Sequence, residues 1–253
     1  MNTVHVRNIT IGEGIPKICI PIVASSGDAI LKEARRFAGL PADLVEWRLD
    51  WFDGRFDLDE TRRLLAGLRE ALGDKPLLAT FRTFAEGGAC EKTGPGHYEA
   101  LVRNAVDSGC ADLVDVELAA GAGFLADLIP RAHDRGVKVI LSHHNFSRTP
   151  KLSAMLDTLA RMEQSGGDIL KIAVMPQSPE DVLTLLSATS QARARFTRPV
   201  VTMSMAGMGV ISRLSGEVFG SALTFGSAGQ ASAPGQIGVE ELRGMLELLH
   251  QNL

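Results

Sequence analysis

The sequence predicts an α/β protein built as a single (β/α)8 (TIM) barrel. Three observations carry this. Short apolar runs alternate with longer amphipathic ones along the 253 residues, making eight strand–helix units. No Pro- or Ser-rich linker separates any two units, so residues 1–253 read as one domain. Eight βα units typically need about 250 residues. A doubly wound open sheet would usually have fewer strands and a glycine-rich phosphate loop after the first. The first turn here, Ala24-Ser25-Ser26-Gly27-Asp28, is not such a loop.

Each element has a local reason. Residues 4–11 alternate polar and apolar and read as a hairpin within residues 1–14 that closes the barrel bottom. The first barrel strand spans 17–24, followed by a helix over 28–40 with Asp28 as N-cap and Gly39 as stop. Strand 43–51 precedes helix 58–73, closed by Gly73, and strand 75–83 precedes helix 97–109. Strand 111–118 leads to helix 122–136, and strand 137–146 to helix 149–166, with Pro150 in its first turn, where a missing N–H costs little. Strand 168–175 leads to helix 178–194, strand 198–206 to a helix over roughly 209–220, and strand 221–227 to helix 238–252.

Composition narrows the function. The formal charge is −4, so no basic footprint for nucleic acid is present. No apolar run approaches the ~18 residues a membrane span needs, and the first 15 residues lack the apolar centre of a signal peptide. Cys19, Cys90 and Cys110 are odd in number and widely spaced, which fits a reducing cytoplasm and supplies no zinc set. There is no H-E-x-x-H, Walker A or C-x-x-C motif, so no metal or cofactor is expected. Gly207-Met208-Gly209 starts like a dinucleotide loop but lacks the third glycine and the first βαβ position.

The chemistry shows as polar residues at interior positions. Barrel strands point alternate side chains inward, and catalytic groups gather at the C-terminal strand ends. In the second barrel strand Val45, Trp47 and Leu49 suit the helix-facing side, which turns Glu46 and Arg48 inward. Thr80 and Arg82 share one parity, as do Asp115 and Glu117. Lys171, one of seven lysines against nineteen arginines, lies inside the apolar run Ile169-Leu170-Lys171-Ile172-Ala173-Val174-Met175. Burial disfavours an ammonium and makes a nucleophilic amine. The competing reading is a structural ion pair with Glu46 or Glu117. His143 and His144 end the preceding strand, with parity left open between them. Glycines 207, 209, 226 and 229 after the last two strands also allow a phosphate site, which would suit a phosphosugar substrate.

With these residues in view, the whole chain resembles the type I 3-dehydroquinate dehydratases. The segment from Gly209 to Arg243 carries the strongest likeness. Glu46-Trp47-Arg48, Phe81-Arg82-Thr83 followed by Glu86-Gly87-Gly88, Ser142-His143-His144-Asn145-Phe146, and Lys171-Ile172-Ala173-Val174-Met175-Pro176 agree in order and spacing. The resemblance implies dehydration of 3-dehydroquinate to 3-dehydroshikimate, in the shikimate pathway, through a Schiff base on Lys171. His144, directly before Asn145-Phe146, is implied as base and acid with a pKa near neutrality, and Glu86 as the group orienting it. Glu46, Arg48 and Arg82 are implied to bind the ring substituents, Arg213 the carboxylate, and Met203, Met205 and Phe225 to form apolar walls. Ser232 and Gln236 fall on the loop that closes over the substrate in the family. A cytoplasmic homodimer without cofactor is expected. Asn145, Pro21 and Gly207 stand where many or some members have Asp, Ser and Lys. The alternatives are another Schiff-base barrel enzyme, such as a class I aldolase, and a catalytically silent metabolite-binding barrel.

Overall fold

A parallel strand buried on both faces needs helices outside and side chains inside, and the chain meets both demands by closing on itself. The computed structural model describes residues 3–91, 93–229 and 235–253. Two short strands, β1 (Val4–Val6) and β2 (Ile9–Ile11), pair antiparallel with Val4 opposite Ile11. The barrel strands are β3 (Lys17–Ile22), β4 (Leu44–Arg48), β5 (Leu77–Thr80), β6 (Leu113–Glu117), β7 (Lys138–Asn145), β8 (Ile169–Val174), β9 (Val200–Ser204) and β10 (Leu223–Phe225). All are parallel, in the order β10-β3-β4-β5-β6-β7-β8-β9. An isolated bridge between Val200 and Ser221 brings the two ends of this order together.

Helices α1 (Gly27–Ala38), α2 (Leu58–Leu72), α3 (Pro95–Asp107), α4 (Ala122–Asp134), α5 (Leu152–Gln164) and α6 (Pro179–Arg195) connect successive strands. The short α7 (Ile211–Leu214) and α8 (Gly216–Phe219) follow β9, and α9 (Val239–His250) follows β10. Outward strand residues such as Trp47, Leu170 and Ile172 share a core with Leu65, Leu68 and Leu185 of the helices. Inward residues near the strand starts (Leu44, Leu78, Leu113, Ile140, Ile169, Val201 and Leu223) form a second cluster with Val4, Val6 and Ile11. The hairpin therefore seals the N-terminal end of the barrel. A two-stranded hairpin alone is marginal, but burying three aliphatic side chains at ~1.5–3 kcal/mol each anchors it.

Three local expectations need correction. Ser26, not Asp28, caps α1: its side chain accepts from the Ala29 N–H, and Asp28 sits in the first turn, where its charge suits the helix dipole. Pro150 lies before α5, because Lys151 is extended at ψ 148° and the helix starts at Leu152. The helix expected over 209–220 is two pieces. Ser215 turns its hydroxyl back to the Ile211 carbonyl, 2.8 Å away. Gly216 then packs so tightly that a Cβ would lie 2.7 Å from the Ser221 carbonyl oxygen.

Candidate active site

The interior changes character along the barrel axis. Below is the apolar layer sealed by the hairpin; above it, the same inward parity places Glu46, Thr80, Asp115, Ser142 and Lys171 in a buried polar layer. A charge at such depth must be partnered. Lys171, 4% exposed, donates from Nζ to Asp115 Oδ2 at 2.9 Å. The anticipated partner, Glu46 or Glu117, is therefore corrected to Asp115. Glu46 accepts instead from the Thr80 hydroxyl at 2.8 Å. The other Asp115 oxygen accepts from Arg82 Nη2 at 2.7 Å and the Ser142 hydroxyl at 2.6 Å. Arg82 continues to Glu117 Oε1 at 3.0 Å and the Ser142 oxygen at 2.9 Å. Burial raises the Asp115 carboxyl, but Arg82 and Lys171 outweigh it and hold the group well below the usual carboxylate range. In Glu117 burial prevails over the same arginine, and its carboxyl is raised.

Glu86 enters from the turn after β5. Gly87 takes φ +84°, and a Cβ on Gly88 would lie 1.9 Å from the Arg82 carbonyl oxygen, so both glycines are required to bring the carboxylate inward. Glu86 Oε2 accepts from His144 Nδ1 at 2.9 Å and from the His144 backbone N–H at 3.0 Å, while Oε1 accepts from His143 Nδ1 at 3.1 Å. Burial works to raise its pKa, but the bonds from His143 and His144 bring it down to about 2. An ionised carboxylate only accepts, so Nδ1 of each ring carries the hydrogen. That leaves Nε2 of a neutral His144 as a lone pair. Burial first, then the Arg82 charge, push His144 down to about 3. That lies well below the value near neutrality expected of a general base. The open parity in β7 also resolves: Val139 and Leu141 face the helices, while Ile140 joins the inner cluster. His143, on the rim, moves the other way: its bond to Glu86 raises its pKa.

Around this centre lies one cavity lined by Lys171, His144, Glu86, Glu46, Arg48, Arg82, Arg213, Met203, Met205, Phe225 and Gln236. Those are all the residues implied by the sequence except Ser232, which lies outside the described residues. Gly87, Phe146 and Ala173 also line it, and the sequence reading did not single them out. Asp50 was missed as well. It holds Arg48 with paired 2.8 Å bonds and also accepts from the Ala89 N–H at 2.9 Å, tying β4 to the Glu86 turn. Its signal was available as Arg48-Leu49-Asp50, an i,i+2 pair at a strand end. Arg213, 1% exposed, is pushed down to about 10 by burial. A larger cleft, about 360 Å³, lies beside the hairpin and is lined in part by Gly12, Arg193 and Arg198. Size does not make it the site, because none of the described lysines or histidines lines it.

Fold and site together define a (β/α)8-barrel enzyme with a buried lysine and a carboxylate-held histidine at the C-terminal mouth. The family model described as type I 3-dehydroquinase matches residues 18–253. The chain is 47% identical over 251 residues to a 3-dehydroquinate dehydratase of Clostridioides difficile (strain 630), covering 99% of this chain and 98% of that protein. It is 49% identical over 251 residues to one from Syntrophotalea carbinolica, covering 99% of each. A crystal structure of a type I 3-dehydroquinate dehydratase from Clostridium difficile matches with TM-score 0.96 at 46% identity, covering 100% of this chain and 99% of that one. The Geobacillus kaustophilus 3-dehydroquinate dehydratase structure gives TM-score 0.96 at 40% identity, covering 99% and 97%. The chain belongs to the type I 3-dehydroquinase family.

Proposed function

We propose that the chain dehydrates 3-dehydroquinate to 3-dehydroshikimate through an imine on Lys171, with His144 as base and then acid. One observation carries this reading within the family: a lysine nitrogen and a histidine whose tautomer is fixed by a carboxylate line the same cavity. The Lys171 amine attacks the ketone, and water leaves to give the imine. His144 Nε2 takes the proton from the neighbouring carbon, and the electron pair moves onto nitrogen as an enamine. His144 then returns the proton to the departing β-hydroxyl, and water hydrolyses the conjugated imine to the enone. Burial is the main reason His144 is held low, and a substrate carboxylate entering the pocket would counter the second, the Arg82 charge.

Roles follow contacts. Arg213 suits the substrate carboxylate, since a guanidinium binds two oxygens at once. Glu46 and Arg48 suit ring hydroxyls, with Asp50 fixing the arginine. Arg82 lines the cavity, but its side chain also engages Asp115, Glu117 and Ser142, which gives it a positioning part beside any contact to substrate. Met203, Met205 and Phe225 provide walls. We extend the reading to one domain over residues 1–253 acting as a cytoplasmic homodimer, which sedimentation and cell fractionation test. Among the described residues no helix is long and apolar enough to cross a membrane.

The test of the chemistry is trapping. Borohydride added during turnover should inactivate the enzyme, and peptide mapping should place the adduct on Lys171. Lys171→Ala should lose trapping and enone formation together. His144→Ala should still be trapped while product formation collapses. Full activity without Lys171, or an adduct on another lysine, would defeat the reading.

A further inference from the structure

The Lys171 nitrogen sits between two groups that attract a cation. Asp115 Oδ2 is 2.9 Å away, and the Phe225 ring centroid lies 4.6 Å from Nζ. Asp115 is 1% exposed, and its other oxygen is held by Arg82 and Ser142, so the carboxylate is anchored beside the nitrogen. The steps described above assign it no part.

Charge accounting gives it one. An ammonium and a ketone become a protonated imine and water. Two ammonium hydrogens leave with the carbonyl oxygen, and the unit positive charge stays on nitrogen. Only the protonated imine is a strong electron sink for proton removal at the neighbouring carbon. When His144 takes that proton, the imine becomes a neutral enamine and the positive charge moves to the imidazole. His144 also acts electrostatically on Asp115, so the charge remains within reach of the same carboxylate. We propose that Asp115 is a catalytic residue, the counter-ion that keeps the imine nitrogen of Lys171 protonated, with the Phe225 ring closing the other side of the cation. This rests on the imine reading above.

The charged and titratable groups facing this position are Arg82, His144 and Lys171. Cys19 of β3 feels Asp115, Lys171 and Glu46, and Glu117 lies beyond Arg82. None of these other carboxylates forms the ion pair with Nζ among the described residues.

The test is the pH dependence of trapping and of turnover in the full-length Asp115→Asn variant, with 3-dehydroquinate as substrate and borohydride as trap. An opposite charge at this range shifts a titration by about 1–3 pH units. The variant should therefore lose trapping at Lys171, and turnover, from about 1–3 units lower in pH than the parent. Asp115→Glu should restore part of the range. Phe225→Leu should shift the alkaline limb the same way by less. A folded Asp115→Asn enzyme with the parent's pH profiles would overturn the proposal. If near-ultraviolet circular dichroism shows that Asp115→Asn does not fold, an unmoved alkaline limb in Phe225→Leu overturns it. Failure to trap Lys171 in the parent would instead strike the imine reading, and this proposal with it.

Discussion

Replacing Glu86 by Gln keeps the shape of a side chain that is 5% exposed and removes its charge. The carboxylate accepts from two imidazoles and one backbone N–H. An amide offers one oxygen and one N–H2, so its nitrogen meets a ring N–H donor, and one histidine must change tautomer or lose its bond. The magnitude follows from the titration. The folded carboxyl sits at about 2 against an ordinary 4.5, and at about 1.4 kcal/mol per pH unit this corresponds to about 3 kcal/mol. Because the folded value is depressed, that stability is fully present above pH 4.5 and is lost as pH falls towards about 2. Urea unfolding of parent and variant should therefore differ by about 3 kcal/mol near neutrality, and the gap should shrink steadily below pH 4.5. Comparing the two proteins at each pH cancels the acid sensitivity of Asp115 and Asp50, which both share. A gap that is the same near neutrality and near pH 3 would show that the two imidazoles do not stabilise the ionised form, and the argument for the His144 tautomer would go with it.

Further outcomes are expected. Arg213→Ala should depress kcat/KM by roughly 30- to 150-fold, about 2–3 kcal/mol for a charge-assisted contact, read by steady-state kinetics; unchanged kinetics would remove it from the site. His143→Ala should be far milder than His144→Ala in turnover. Its stability deficit should be present below pH 6.5 and fade as pH rises through the raised folded value, checked by unfolding at several pH values. Gly88→Ala should cost about 1–3 kcal/mol and lower activity, because its methyl would collide with the Arg82 backbone; a melting curve and an activity assay on the same sample check both.

Much of this architecture was legible because two periodicities dominate the chain. Strand parity turned Glu46, Arg48 and Lys171 inward, and all three line the cavity. Parity cannot choose partners, however. Asp115 and Glu117 share one face of β6, and strand register does not select the first, since Ser142 is in register with both Lys171 and Glu117; the 2.9 Å contact to Asp115 is a three-dimensional fact. The Arg48–Asp50 pair escaped for a similar reason, since Asp50 lies past the strand in a 3-10 turn whose direction alternation does not describe. The depth of the His144 shift needs the summed burial and the Arg82 charge, a three-dimensional quantity with no counterpart in spacing. The split between α7 and α8 was hidden because Ser215 and Gly216 act through their surroundings, not through pattern.

The seam of the barrel has a consequence for the order of synthesis. Lys171, His144, Glu86 and Asp115 all belong to the first six barrel strands in sequence, β3 to β8, or the loops between them, whereas Arg213 and Phe225 come after β9. The bridge from Val200 to Ser221 and the pairing of β10 with β3 form only when this last stretch arrives. A growing chain that has emerged as far as β9 holds Lys171 and His144 but lacks Arg213 and the Phe225 ring. Closure of the ring and assembly of the full cavity lining thus depend on the same stretch of chain, the one that follows β9.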